Sequence, residues 1–143
     1  MKTKVDKIYR PDARTQRPLP LFLERVSAGF PSPAADYEEG RLDLNQYLIK
    51  NPPATFLVRV AGDSMLGAGI HPGDLLVVDR SLEPKDKNVV IAAINGELTV
   101  KRIRIKRKKI FLEAENESYA PQEITKETEF EVWGVVTNVI HSL

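Results

Sequence analysis

Two side chains in this sequence have the chemistry of a nucleophile and its base. Ser64 lies in Val60-Ala61-Gly62-Asp63-Ser64-Met65, just past a strand-like run, Thr55 to Val60, in a turn where a side chain can stand clear of a sheet. Lys101 follows 37 residues later in Glu97-Leu98-Thr99-Val100-Lys101. The Asn95-Gly96 pair before it is a strong hairpin signal, and alternation then places Thr99, Lys101, Ile103 and Ile105 on one face. The lysine is thus aimed at an apolar surface. Burial disfavours an ammonium and can lower a lysine from about 10.4 by several units, leaving a neutral amine able to take a proton from a serine. The pair reads as a Ser-Lys dyad. Backbone N–H groups at the Ser64 turn, with Met65 packed beside them, are the expected oxyanion donors.

Each half has a bland competitor. Gly-Asp-Ser is a common turn, and a strand lysine can lay its methylenes on the sheet and guard an edge. A histidine base is a further rival: His71 lies seven residues after Ser64, with Asp63 or Asp74 as orienter. However, His71-Pro72-Gly73-Asp74 reads as a turn pointing into solvent.

The elements that must hold these residues are mostly strands. Leu75 to Asp79, Val89 to Ile94, Glu97 to Ile105, Ile110 to Glu115 and Phe130 to Ile140 are apolar or alternating runs separated by Pro, Gly and Asn turns. Strands at this spacing predict a mainly β fold, either a compact, partly closed barrel or two packed sheets. Trp133, among Val132, Val135 and Val136, is placed in core or dimer packing. A short helix over Arg41 to Lys50 has Asp43 and Gln46 in capping-box spacing and stops at Asn51-Pro52-Pro53. Met1 to Arg17 is polar and without periodicity, so it reads as a flexible arm. It is too short for a helical DNA-binding head.

The totals narrow the chemistry. A chain of 143 residues suits one domain. It has no cysteine and two histidines, so a thiol nucleophile and disulfides are excluded, and neither a metal centre nor a cofactor is expected. No apolar run approaches the roughly 18 residues of a membrane span. Residues 1 to 28 carry seven Lys and Arg against three acids, whereas residues 29 to 143 carry fourteen against seventeen. Seven of those fourteen lie in Lys101 to Lys109. This run reads either as a solvated hairpin tip or as a phosphate-binding patch, with no interleaved aromatics to stack bases.

Three stretches together, Gly62-Asp63-Ser64-Met65, His71-Pro72-Gly73-Asp74-Leu75-Leu76-Val77-Val78-Asp79 and Gly96-Glu97-Leu98-Thr99-Val100-Lys101, resemble the Ser-Lys self-cleaving (S24 peptidase) proteins of the LexA and UmuD family. Gly29-Phe30-Pro31-Ser32-Pro33-Ala34-Ala35-Asp36-Tyr37 is similar to the UmuD-type branch, and from there the likeness covers almost the whole chain. Read locally, Ala28-Gly29 is a helix stop before a linker. The resemblance makes it the scissile pair, of the Ala-Gly type seen in LexA rather than the Cys-Gly of the best-known UmuD. It implies a LexA C-terminal-domain-like fold, with residues 1–28 an arm removed by self-cleavage and residues 29–143 the Ser-Lys peptidase-like β domain. It further implies a cytoplasmic homodimer whose cleavage is promoted by RecA filaments on single-stranded DNA. The shortened form would join a UmuC-type translesion polymerase in the SOS response. The competing class is a non-enzymatic nucleic-acid or protein binding module built on Lys101 to Lys109.

Overall fold

The computed structural model describes residues 2–14, 16, 18–22 and 38–143. The expected scissile pair, Ala28-Gly29, lies outside the described residues. The chain forms two compact units, Met1–Pro11 with Asn51–Leu143, and Asp12–Lys50.

The larger unit is antiparallel throughout. Its strands are β1 (Lys4–Tyr9), β4 (Thr55–Ala61), β5 (Leu75–Asp79), β6 (Val89–Ile94), β7 (Glu97–Lys106), β8 (Lys109–Glu113), β9 (Gln122–Ile124) and β10 (Phe130–Ile140). They run in the order β1-β4-β5-β10-β6-β7-β8-β9, and β1 also pairs with β7. That last pairing closes β1, β4, β5, β10, β6 and β7 into a barrel of six strands. The fold is therefore mainly β, as the alternation predicts, and its barrel is closed. Closure leaves no free edge among these six strands, which removes the usual hazard of unpaired backbone groups.

β10 serves two neighbours. Phe130 to Val135 pair with β6 and Val135 to Ile140 with β5, with register shifts between Val132 and Gly134 and between Val136 and Asn138. Such bulges bend a strand and raise its twist, as a barrel wall requires. The buried side chains form two clusters, on opposite faces of β6 and β7, and the first draws on all six barrel strands. One holds Val58, Val60, Met65, Ile70, Leu76, Val78, Ile91 and Val100; the other holds Val90, Ala92, Ile94, Ile103, Leu112 and Val135. Trp133 is partly buried against the first cluster and meets the Phe56 ring edge-on at 5.2 Å between centroids.

The structure differs from the sequence expectation at the start of the chain. Lys4 to Tyr9 form a strand rather than part of a flexible arm: Lys4 pairs with both Ala61 of β4 and Thr99 of β7, and the register continues to Tyr9 opposite Leu57. The physical reason lies outside the segment. Of the β1 side chains Val5 packs on the core, while Lys4, Asp6, Lys7, Ile8 and Tyr9 are exposed. What orders the segment is the pair of strand edges offered by β4 and β7, and no local periodicity reports those.

In the smaller unit, β2 (Pro18–Phe22) pairs antiparallel with β3 (Glu38–Asp43), which runs into the helix α1 (Leu44–Leu48). Asp43 caps α1 by accepting the Asn45 N–H at 2.9 Å. The helix thus starts after the expected capping residue but is shorter than the expected Arg41 to Lys50, because Arg41 to Asp43 belong to β3; in the larger unit a 3-10 turn follows at Pro52–Ala54. Among the described residues no helix is long and apolar enough to cross a membrane.

Candidate active site at the Ser64 turn

β4 ends at Ala61, and Gly62 takes φ 91°, a left-handed conformation that strongly favours glycine. The chain then turns so that Ser64 is fully buried rather than standing clear. Met65 is buried too, in the core cluster, and its carbonyl accepts the Ala68 and Ile70 N–H groups at 3.0 and 3.2 Å. Met65 therefore pins the turn from below. Among the described residues the backbone N–H groups of Ser64 and Met65 make no hydrogen bond to the protein.

The loop after β8 holds the turn from the other side, a contribution the sequence analysis misses. The Glu115 N–H donates to the Ser64 carbonyl at 2.8 Å, the Gly67 N–H donates to the Glu115 carbonyl at 2.7 Å, and the Asn116 amide donates to the Asp63 carbonyl at 3.1 Å. A β-carbon on Gly67 would lie 2.7 Å from that Glu115 oxygen, so only glycine admits the approach. Glu115 is itself paired with Arg102 of β7, which ties this clamp to the strand carrying Lys101. Nothing local in Glu115-Asn116-Glu117 signals such a role.

Lys101 is 8% exposed on β7, between Thr99 and Ile103, which are also buried, and on the face opposite Val100 of the barrel-interior cluster. Its Nζ lies 5.9 Å from the centre of the Tyr119 ring, and the Tyr119 hydroxyl donates to Asp63 Oδ1 at 3.4 Å. Among the described residues the amine has no carboxylate partner. Desolvation by burial, and then the positive charge of Lys2, hold it below the usual lysine value. The neighbouring cations of the same strand are treated differently: Arg102 pairs with Glu115, and Arg104 with Asp86 and Glu113.

Tyr119 thus reaches from the Ser64 turn to Lys101, and Thr3 does the same from the N-terminal side. The Thr3 N–H donates to Ser64 Oγ at 2.7 Å, while the Thr3 carbonyl accepts the Val100 N–H at 3.2 Å. Ser64 Oγ is accordingly engaged by backbone, and among the described residues Thr3 is its hydrogen-bond partner.

His71 and Asp74 come together, but around a different centre. Asp74 is 3% exposed; it accepts the His71 backbone N–H at 2.7 Å and contacts His141 Nδ1 at 2.5 Å, and the two imidazole rings lie 4.7 Å apart. Burial pushes the Asp74 carboxyl up; the His71 N–H, then the hydrogen bond and charge of His141, and the charge of His71 together outweigh it and hold it low. His71 is therefore not the partner of Ser64 that the rival triad requires. One donor atom from each of His71, Asp74 and His141 lies within 4.8 Å of the others, a set with the softness to hold zinc or a similar divalent ion. This grouping is not legible in the residue order, because 67 residues separate Asp74 from His141.

The basic run proves to be a hairpin tip, with Arg107 and Lys108 at φ 49° and 66° between β7 and β8. Arg102, Arg104 and Lys109 of the run are ion-paired with acids of the same unit.

A closed antiparallel barrel with a buried serine turn, and a buried lysine reached by the same flanking residues, defines the class of β protein to which the chain is compared. The chain belongs to the Peptidase S24-like family, whose description matches residues 20–137. It is similar to protein SamA of Salmonella typhimurium strain LT2, 50% identical over 129 residues that cover 88% of this chain and 87% of SamA. It is also similar to protein MucA of Escherichia coli, 42% identical over 141 residues, covering 98% of this chain and 94% of MucA. Against the LexA repressor of Shewanella denitrificans it is 42% identical over 115 residues, 80% of this chain and 55% of the repressor. The resemblance to LexA- and UmuD-type proteins carried by the serine and lysine motifs thus extends across most of the chain.

Proposed function

We propose that this chain is a serine endopeptidase that cuts its own Ala28-Gly29 bond, with Ser64 as nucleophile and Lys101 as general base. The observation that carries the reading is the state of Lys101: buried, without a carboxylate partner among the described residues, held below its usual value, and against the Tyr119 ring, whose hydroxyl reaches Asp63 of the Ser64 turn. A neutral Nζ takes the proton of Ser64 Oγ as the oxygen attacks the Ala28 carbonyl carbon. The Ser64 and Met65 N–H groups, which have no protein acceptor among the described residues, are the donors for the resulting oxyanion. Collapse breaks the C–N bond and Lys101 returns the proton to the Gly29 amine. Water then hydrolyses the acyl ester, by the same proton route, to free the serine.

Membership of the Peptidase S24-like family and similarity to a LexA repressor support placing this cleavage in the cytoplasmic SOS response. On this reading the protein is a homodimer, RecA filaments on single-stranded DNA stimulate the cut, and the shortened form serves a UmuC-type translesion polymerase. The reading as a nucleic-acid module on Lys101 to Lys109 is weaker, because three cations of that run are already neutralised by ion pairs and Lys101 itself is buried.

The test is the intact mass after incubation at alkaline pH. Loss of the mass of residues 1–28, a new terminus at Gly29 and no loss in Ser64→Ala are expected. A stable mass, or a terminus elsewhere, would overturn the assignment.

A further inference from the structure

A serine peptidase of this kind must bring an extended substrate backbone alongside its nucleophile, because the carbonyl under attack has to lie within contact distance of Oγ and face the oxyanion donors. In this barrel the place beside Ser64 is taken. The Thr3 N–H donates to Ser64 Oγ and the Thr3 carbonyl accepts from Val100, the residue before Lys101. From Lys4 onward the chain is hydrogen-bonded into the wall, Lys4 facing both Ala61 and Thr99, Val5 facing Val60 and Tyr9 facing Leu57. The groove between β4 and β7 therefore fits an extended peptide backbone, and its occupant is the chain's own N-terminal segment. We propose that Thr3 to Tyr9 act as a built-in competitor for the substrate position, so that β1 has to leave the β4–β7 groove before the scissile segment can reach Ser64. This inference rests on the protease reading above and adds to it a step of regulation.

The way β1 is held fits a displaceable strand. Val5 is its side chain on the core. A register shift interrupts the ladder between Val5 and Lys7, and bulges locally disrupt pairing. Among the described residues Thr3 Oγ1 is buried with no hydrogen-bond partner, and an orphaned buried hydroxyl is costly. Lys2 adds repulsion, since its charge acts on Lys101 and disfavours the protonated amine there, although Glu97 holds it at 3.4 Å. Backbone hydrogen bonds carry most of the attachment. An incoming strand of any sequence with the right path can replace such bonds one for one, which is how an exposed sheet edge accepts a peptide.

Two experiments on the full chain test this. The chain has no cysteine, and Lys7 and Arg59 are registered partners across β1 and β4, a pairing whose Cα separation suits a disulfide. Lys7→Cys with Arg59→Cys, oxidised, should lose self-cleavage at alkaline pH and regain it on reduction. Equal cleavage in the two redox states, with the cross-link verified by mass, would overturn the proposal. The second experiment does not use the chemistry: full-length Ser64→Ala is titrated with a synthetic peptide spanning residues 24 to 33, and hydrogen exchange is read at the Lys4 to Tyr9 amides. Faster exchange in step with peptide binding is expected. Peptide binding that leaves those amides protected, or no binding at all, would overturn it. If neither the parent nor the reduced double variant cuts itself, the protease reading fails, while the exchange experiment still decides whether β1 and the scissile segment compete.

Discussion

Two ionisable groups of the larger unit are buried to a similar degree, Asp74 at 3% and Lys101 at 8% exposed, and they have opposite fates. Asp74 is surrounded by donors: the His71 N–H at 2.7 Å and the His141 ring at 2.5 Å. Their combined effect outweighs desolvation and keeps the carboxyl ionised. Lys101 has an aromatic ring, apolar neighbours and a second ammonium nearby, so desolvation dominates and the amine is pushed toward neutrality. Burial alone does not make a reactive group. Burial without compensation does, because the charged form is then the one that loses.

The most severe way to break this contrast is Lys101→Arg. It keeps the charge and most of the stem, but a guanidinium cannot give up its proton in a protein. Self-cleavage should fall by about 10² to 10⁴, the usual worth of a general base, while circular dichroism stays native. Normal cleavage by the folded variant would show that Lys101 is not the base.

The pH profile sharpens the same point. Because the Lys101 value is lowered by burial, the neutral amine becomes more abundant as pH rises toward that value. The cleavage rate of the parent should climb by about tenfold per unit in that limb and level off below the ordinary lysine value of about 10.4. A rate rising without a plateau up to that value would mean that the amine is not perturbed. A pH-independent rate would mean that it does not titrate in the reaction.

Asp74→Asn addresses the compensated site. The substitution puts an amide where the structure needs a charged acceptor for two donors, so stability should drop by about 1 to 3 kcal/mol. Chemical denaturation measures it, and the cleavage rate of the folded protein should be unchanged. A loss of cleavage with no loss of stability would instead revive a histidine base.

Lys101→Met should have the reverse sign. A folded-state amine value below the unfolded one means that the unfolded chain binds more protons between the two, so the parent gains stability as pH rises through that window and is handicapped below it. The apolar side chain avoids the handicap, and the variant should be more stable at neutral pH by about 1 kcal/mol. A destabilised Lys101→Met would indicate that the amine is paired rather than merely buried. Smallest of all is His71→Ala. The side chain is half exposed, 49%, and 3.7 Å from Asp74, so the expected cost is about 0.5 kcal/mol or less, read from the same denaturation curves.

Much of the barrel can be read from the residue order. The runs Leu75 to Asp79, Val89 to Ile94 and Phe130 to Ile140 are strands with those bounds, and Asn95-Gly96 is a turn with both residues at positive φ. These elements are legible because alternation, branched side chains and turn residues act over a few neighbours. The burial of Lys101 is legible for the same reason, since a strand offers two faces and Lys101 shares one with Thr99 and Ile103. The short strand β9 and the β2–β3 pair escape such a reading, being three to six residues long with little alternation.

Contacts across long stretches of chain belong to the tertiary structure alone. Thr3 meets Ser64 over 61 residues, Asp74 meets His141 over 67, and Asn116 meets Asp63 over 53. In each case the local sequence is compatible with many partners, and the choice is made by which strand edges and loops the closed barrel brings within hydrogen-bond reach. The order of residues alone thus determined a β domain with a serine on a turn and a lysine on a strand face shared with Thr99 and Ile103. Folding decided that among the described residues the lysine has no carboxylate partner while the aspartate has its donors, and that Thr3 is the hydrogen-bond partner of the serine. The physical reason is that desolvation and strand pairing depend on what surrounds a residue in space, and for these residues the surroundings are distant in sequence.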